Sequence, residues 1–203
     1  LNRVRVSFTS PVPVGTEASV AIVRQTEVEV RLQVSVGEIP AAPIVAGLGQ
    51  VGNPGDALND APVRDSGWPQ QPLPLEAEEM GQQSGAFAFA DPVTGGVRFK
   101  DLAAQISNER VSAIAALSRL VGMVCPGLHS IFHSLSINLV TLSEIGVMRY
   151  RATGFDDRFR MVRLAVAGGG IVGEVAALAR IPPVRQPGMD EIAAAVPAGF
   201  CRD

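Results

Sequence analysis

Residues 107–139 read SNERVSAIAALSRLVGMVCPGLHSIFHSLSINL, and two periodicities meet inside them. In the first half Val111, Ile114, Ala115, Leu117, Leu120 and Val121 recur at helical spacing, which predicts a helix over about 108–122. Ser107 or Asn108 can cap its start, Glu109 sits in the first turn where the helix dipole favours a carboxylate, and Gly122 or Pro126-Gly127 can close it. The apolar stripe is broad and rich in Ala, which suits a central helix wrapped by other elements. In the second half the period falls to two, and His129 to Leu139 reads as a strand.

Strands predominate outside this stretch. Upstream, Ala86 to Ala90 and Val97 to Phe99 read as short strands about a Gly95-Gly96 turn. Downstream, Val147 to Thr153, Arg158 to Val166 and Ile171 to Ile181 read as strands, and Met189 to Val196 as a terminal helix. Near the start, Val4, Val6 and Phe8 alternate with polar residues, and Ala18 to Val23 follows a Pro-rich turn. Glu27 to Val36 (EVEVRLQVSV) alternates most cleanly, with Val28, Val30, Leu32, Val34 and Val36 on one face and charged residues on the other. An antiparallel sheet with one wet face is expected. Residues 37–83 differ: 14 of these 47 are Gly or Pro, against 22 of the other 156. Ile44 to Leu48 is a further strand, but Gln50 to Gln83 reads as an extended linker with a solvated acidic run at Glu76, Glu78 and Glu79.

The strand sets at the two ends look alike. RLQVSVG at 31–37 lines up with RLAVAGG at 163–169, an offset of 132. At about that offset Val4 to Phe8 falls on Leu135 to Leu139, and Ala18 to Arg24 on Met148 to Gly154. This suggests duplication of a unit of about 130 residues. The first copy keeps only its later strands, its opening strand and helix lying before Leu1 or being absent. The expected organisation is a partial, strand-only repeat over 1–49, a linker over 50–83, a helix-bearing domain over 84–186 and a tail over 187–203. The 203 residues then amount to about one and a half units.

Composition excludes several classes. Seventeen basic against twenty acidic residues give a net charge of −3 with no block of like charges, which argues against a nucleic-acid or anionic-membrane binder. Arg119, Arg163 and Glu174 break the longest apolar stretches, so no transmembrane span is expected. Two cysteines, Cys125 and Cys201, argue against a disulfide scaffold and fit a reducing, cytoplasmic compartment. No signal peptide is visible, and a start at Leu1 reads as an excised piece or a processed product.

A strand, one long central helix and then four antiparallel strands is the order of the hot-dog fold. Residues 115–139 (AALSRLVGMVCPGLHSIFHSLSINL) resemble the central helix, Pro-Gly exit and first post-helix strand of its MaoC-like branch, which includes the (R)-specific enoyl-CoA hydratases. The resemblance covers roughly 100 residues at the C-terminal end, and its strand half recurs in 1–49. It implies an α+β hot-dog fold, an antiparallel sheet wrapped around a central helix in a partial double hot-dog. It also implies a hydratase or dehydratase acting on an acyl thioester of CoA or acyl carrier protein, with no cofactor. Family hydratases carry a Ser-Gly-Asp-x-Asn-Pro-x-His loop ahead of the helix, whose Asp and His activate water. Here residues 105–114 read QISNERVSAI, with no Asp, Pro or His.

Without that loop, Glu109 and His129 are the candidate acid/base residues. Asn108, Arg110, Ser130, Arg158 and Arg160 are candidate substrate contacts. The resemblance implies that the helix N-terminus points N–H groups at the thioester carbonyl, with Glu109 as base; Asn108 and Glu109 read also as an ordinary helix cap. His129 could serve as acid/base or be a satisfied strand histidine. With His133 it would share a strand face about 13 Å apart, too far to hold one metal, so no metal site is expected. Arg158 and Arg160 share a strand face and could meet a carrier phosphate, or form the wet face of an outer strand. Cys125 reads as a small buried residue before the Pro-Gly turn rather than a nucleophile. Gly168-Gly169-Gly170 with Gly173 reads as a hairpin turn rather than a phosphate loop. Three functions follow: a hydratase/dehydratase first, a catalytically silent hot-dog module of a larger enzyme second, and a thioesterase using Glu109 third. The expected partners are the acyl thioester, an acyl carrier protein or fused neighbouring domain, and a second copy in a homodimer.

Overall fold

The structure, a computed structural model, describes residues 1–52, 58, 69–89, 104, 106–142, 146–181 and 186–196. The strands are β1 (Arg3–Ser7), β2 (Ser19–Gln25), β3 (Glu29–Val36), β4 (Ile39–Gly47), β5 (Ser84–Ala88), β6 (Ser130–Leu139), β7 (Val147–Asp156), β8 (Met161–Gly168) and β9 (Ile171–Ala179). The helices fully within the described residues are α1 (Ala77–Met80), α2 (Asn108–Arg119), which runs on as a π-helical turn over Leu120–Val124, and α3 (Met189–Ala195). The nine strands of the described residues form one antiparallel sheet in the order β2-β3-β4-β1-β6-β9-β8-β7-β5. Read outward from its centre, the order runs β1-β4-β3-β2 on one side and β6-β9-β8-β7-β5 on the other. The two sides mirror one another strand for strand, except that β5 has no counterpart among the described residues.

The expected alternation sets the faces. Directly opposed residues of antiparallel strands point to the same side, so the register traces an apolar row across the sheet. That row runs Ile22, Leu32, Ile44, Val6, Leu135, Val175, Leu164 and Ala152. On the β6-β9-β8-β7 side α2 covers it, and Leu117, Leu120, Leu135, Tyr150, Leu164 and Val175 form one buried cluster. On the β2-β3-β4-β1 side Ile22 and Val20 remain 64% exposed, and β2 is exposed along its whole length. The core sits under one half of a continuous apolar face.

Several boundaries differ from the sequence reading for local reasons. The acidic run expected as extended linker forms the one-turn helix α1, because the Glu79 carboxylate accepts the Glu76 amide at 3.0 Å and Met80 is buried beneath it. The strand expected from Arg158 begins only at Met161, since Asp156 Oδ1 accepts the Arg158 amide at 3.0 Å and closes a turn. The Val97–Phe99 strand and part of the expected linker, residues 53–57 and 59–68, lie outside the described residues.

Gly168-Gly169-Gly170 is the β8–β9 turn, as expected, and it presses on the head of α2. Gly169 has φ +57°, and a Cβ there would lie 2.6 Å from both Ala113 Cβ and Phe89 Cζ. Gly169→Ala therefore combines left-handed backbone strain with overpacking. A loss of about 2–4 kcal/mol is expected, read as a lower urea midpoint at unchanged m-value.

Candidate functional site

The head of α2 is enclosed by the end of β6, the residues before β7 and the β8–β9 turn. Ser107 caps it: its Oγ accepts the Arg110 amide at 3.4 Å and its carbonyl accepts that of Val111 at 3.2 Å. Asn108, the other candidate cap, is instead the first helical residue and is exposed. The amides of Asn108 and Glu109 have no intrahelical acceptor, as at any helix start. The half-buried Glu109 carboxylate accepts the Gly146 amide through Oε1 at 2.6 Å, and the Gly146 carbonyl accepts the Phe89 amide at 2.8 Å. That bond orients the carboxylate and leaves its second oxygen with no protein partner among the described residues.

Arg110 turns toward the sheet. Its Nη2 donates to the Val140 carbonyl at 2.8 Å, while its buried Nε has no acceptor among the described residues. The guanidinium thus braces the end of β6 against α2 rather than standing open to a substrate. Val140 also lines a cleft of about 300 Å³ at the junction of β1 and β6, with Asn2, Gln50, Gly52, Asn138, Leu139 and Val172. Gly52 bridges to Val140 and donates to the Leu139 carbonyl at 3.2 Å, so residues just beyond β4 close one side of that cleft.

The remaining candidates stand at the other end of α2. His129 follows the π-helical turn in a left-handed conformation (φ +65°), and its carbonyl accepts the Arg180 amide at 3.0 Å. Ser130 opens β6 opposite Ala179. Arg160 Nε donates to the Ala179 carbonyl at 3.0 Å. Arg158 lies exposed over the Phe159 ring, 3.7 Å from Asp156. The structure therefore does not bring Glu109 and His129 together: the 17 residues of helix from Asn108 to Val124 separate them by roughly 25 Å. Nor do Arg158 and Arg160 share a strand face, because both lie in the turn before β8. An open hollow there mixes Asp156 and Asp157 with Arg158 and Arg163, which removes the net positive charge a phosphate needs. His133 occupies a β-bulge between Phe132 and Ser134, so the two histidines do not sit on one regular strand face. Among the described residues no group of three potential metal ligands forms.

Cys125 is fully buried and its thiol donates to the Met80 carbonyl at 3.6 Å. Burial pushes the thiol from its ordinary 9.0 up to about 12, so it is not a nucleophile. With Cys201→Ser in place, native protein at pH 8 is expected to react with a thiol reagent about a thousandfold more slowly than urea-unfolded protein. Native-rate labelling equal to the unfolded rate would place the thiol at the surface. By the same shift, the stability this residue contributes is whole below pH 9 and is lost as pH rises through about 12.

Ser107 was legible as a cap, but Gly146, Val140 and the cleft residues were not. They reach α2 from 30 or more positions away, as the 37-residue gap between Gly146 and Glu109 shows, and no local pattern announces such a contact.

No protein-family model and no curated protein matches the chain. Among solved structures, it is similar to an acyl-CoA thioesterase II from Mycobacterium marinum, at 15% identity and a TM-score of 0.52 over 92% of this chain and 82% of that one. It is also similar to a conserved protein with a hot-dog fold from Alicyclobacillus acidocaldarius, at 13% identity and a TM-score of 0.45 over 90% of this chain and 79% of that one. At such identities the likeness concerns the fold. It joins the strand order, in which β5, α2 and then β6 to β9 wrap one helix. The fold is a hot-dog fold. It is α+β and partly doubled, with the strands of a second unit extending the sheet through β1. No helix among the described residues is long and apolar enough to cross a membrane.

Proposed function

We propose that the chain is an acyl-thioester hydrolase acting on CoA or acyl-carrier-protein thioesters, with Glu109 as the base that activates water. The observation that supports this most directly is one carboxylate at the head of a helix, oriented through one oxygen by the Gly146 amide and with no partner among the described residues at the other. Hydrolysis of a thioester needs little more. A base takes the proton of water as its oxygen bonds to the carbonyl carbon, and N–H donors such as the amides of Asn108 and Glu109 stabilise the developing oxyanion. The C–S bond then breaks, and a thiolate leaves readily because a thiol has a pKa of only about 8.5.

A MaoC-like hydratase or dehydratase asks for more. Addition of water across a conjugated double bond needs one group to take a proton from water and another to deliver one to carbon. Glu109 and His129 are too far apart to share that work. The acyl-CoA thioesterase named among the similar structures agrees with hydrolysis and carries only the weight of a shared fold.

The test is thiol release. Saturated acyl-CoAs of increasing chain length, acyl carrier protein thioesters and crotonyl-CoA are incubated with the chain, and free thiol is followed with a chromogenic reagent. Release of thiol from saturated substrates supports the proposal. Hydration of crotonyl-CoA without thiol release would restore the hydratase reading, and silence toward all substrates would leave a non-catalytic hot-dog module.

A further inference from the structure

We infer that the outer face of β1, β4, β3 and β2, on the side away from the apolar row, is a docking surface for an acidic helix of a partner protein. This does not depend on the chain's being a hydrolase. The four strands hold five charged residues, Arg3, Arg5, Arg24, Glu29 and Arg31. The register puts all five on one side of the sheet. Arg24 lies opposite Arg31, Arg31 opposite Val45 and Val45 opposite Arg5, while Glu29 lies opposite Gly47 and Gly47 opposite Arg3. These strands therefore present a net charge of +3 on one face of a chain whose total is −3. All four arginines are exposed. The Glu29 carboxylate is spent on Arg31 at 2.6 Å. Arg3 donates to the Asn138 side-chain oxygen at 3.2 Å, and neither Arg5 nor Arg24 has a carboxylate partner among the described residues. Arg24 facing Arg31 is a like-charge pair, which costs a sheet stability. A carboxylate held over the pair offsets that cost.

The spacing indicates which anion fits. With strands about 4.8 Å apart, the row Arg24, Arg31, Arg5 advances by about 5 Å and then by about 10 Å. Residues i, i+4 and i+11 share one face of a helix and advance by about 6 Å and then by about 10 Å. A glutamate or aspartate stripe of that spacing meets the row, and arginine forks suit carboxylates at interfaces. A nucleic acid or an anionic membrane extends further than this patch and would meet a remainder of the chain that sums to −6. The four strands also hold no aromatic residue on which a base could stack. Nor does the chain itself supply the matching charge outside the described residues. There, residues 53–68 sum to −2, and every other stretch sums to between −1 and +1.

The experiment uses the full chain at low ionic strength and a fluorescently labelled alanine-based helical peptide with glutamates at i, i+4, i+7 and i+11. Saturable one-to-one binding is expected, and it should weaken as salt is added. A peptide of the same composition with its glutamates spread around the helix should bind at least about fivefold more weakly. Arg5→Glu combined with Arg24→Glu should weaken binding of the striped peptide at least about tenfold. Arg24→Glu alone removes the facing like-charge pair, so the urea midpoint should hold or rise while binding falls. A midpoint that drops together with binding would give Arg24 a structural role and overturn the proposal. Absence of saturable binding, or equal binding of the two peptides, would do the same. So would tighter binding of an oligonucleotide or of phosphatidylserine vesicles that the same reversals abolish, since the face would then belong to an extended polyanion. Slow modification of Arg5 and Arg24 by phenylglyoxal in the chain alone would show the face already covered by the chain's own residues, which also overturns it.

Discussion

Glu109→Gln is expected to lower thioester hydrolysis by about 10²–10⁴-fold, with the loss in kcat. The amide is nearly isosteric and keeps an oxygen that can accept the Gly146 amide, which the carboxylate accepts at 2.6 Å. The residues before β7 should therefore stay docked on α2, and the urea midpoint should move little. What the substitution removes is the capacity to take a proton from water. Glu109→Ala separates the two roles, because it also leaves the Gly146 amide without an acceptor, at a cost of about 1–3 kcal/mol. The pattern expected is two inactive variants, one of normal stability and one weakened. His129→Ala should retain activity, since His129 lies at the far end of the helix with its backbone tied to Arg180. Activity lost in His129→Ala but kept in Glu109→Gln would move the chemistry to the other end of α2.

What the sequence made legible follows the range of the interactions. The alternation of Glu27 to Val36 and the spacing of Val111 to Val121 are each set within one element, and β3 and α2 appear where those periods place them. The resemblance of 31–37 to 163–169 is longer in range but repetitive, and it corresponds to the mirrored positions of β3 and β8 in the sheet. The candidate site was less legible because each of its contacts joins segments with no shared pattern. Arg110 reads as a surface cation, yet its guanidinium is spent on the Val140 carbonyl. Arg160 reads as a strand residue, yet Asp157 accepts its amide at 3.3 Å and turns it toward Ala179. His133 lies in an alternating stretch whose register slips at that residue. A bulge and a turn carry little more than one side-chain hydrogen bond of information, too weak to outweigh a period of two.

The largest effect on stability is expected at Leu117, and its contrast with Ile22 tests how the core is distributed. Leu117 has no exposed surface and lies within the cluster that joins α2 to β6, β8 and β9. Leu117→Ala should cost about 2–5 kcal/mol, the transfer energy of the lost atoms plus the cavity they leave. Ile22 occupies the same apolar row of the sheet but is 64% exposed, so truncation removes little buried area. Ile22→Ala should cost less than about 1 kcal/mol. Urea denaturation of the two variants, read as midpoints at constant m-value, measures the difference. Comparable losses would mean that the open face is already covered in solution.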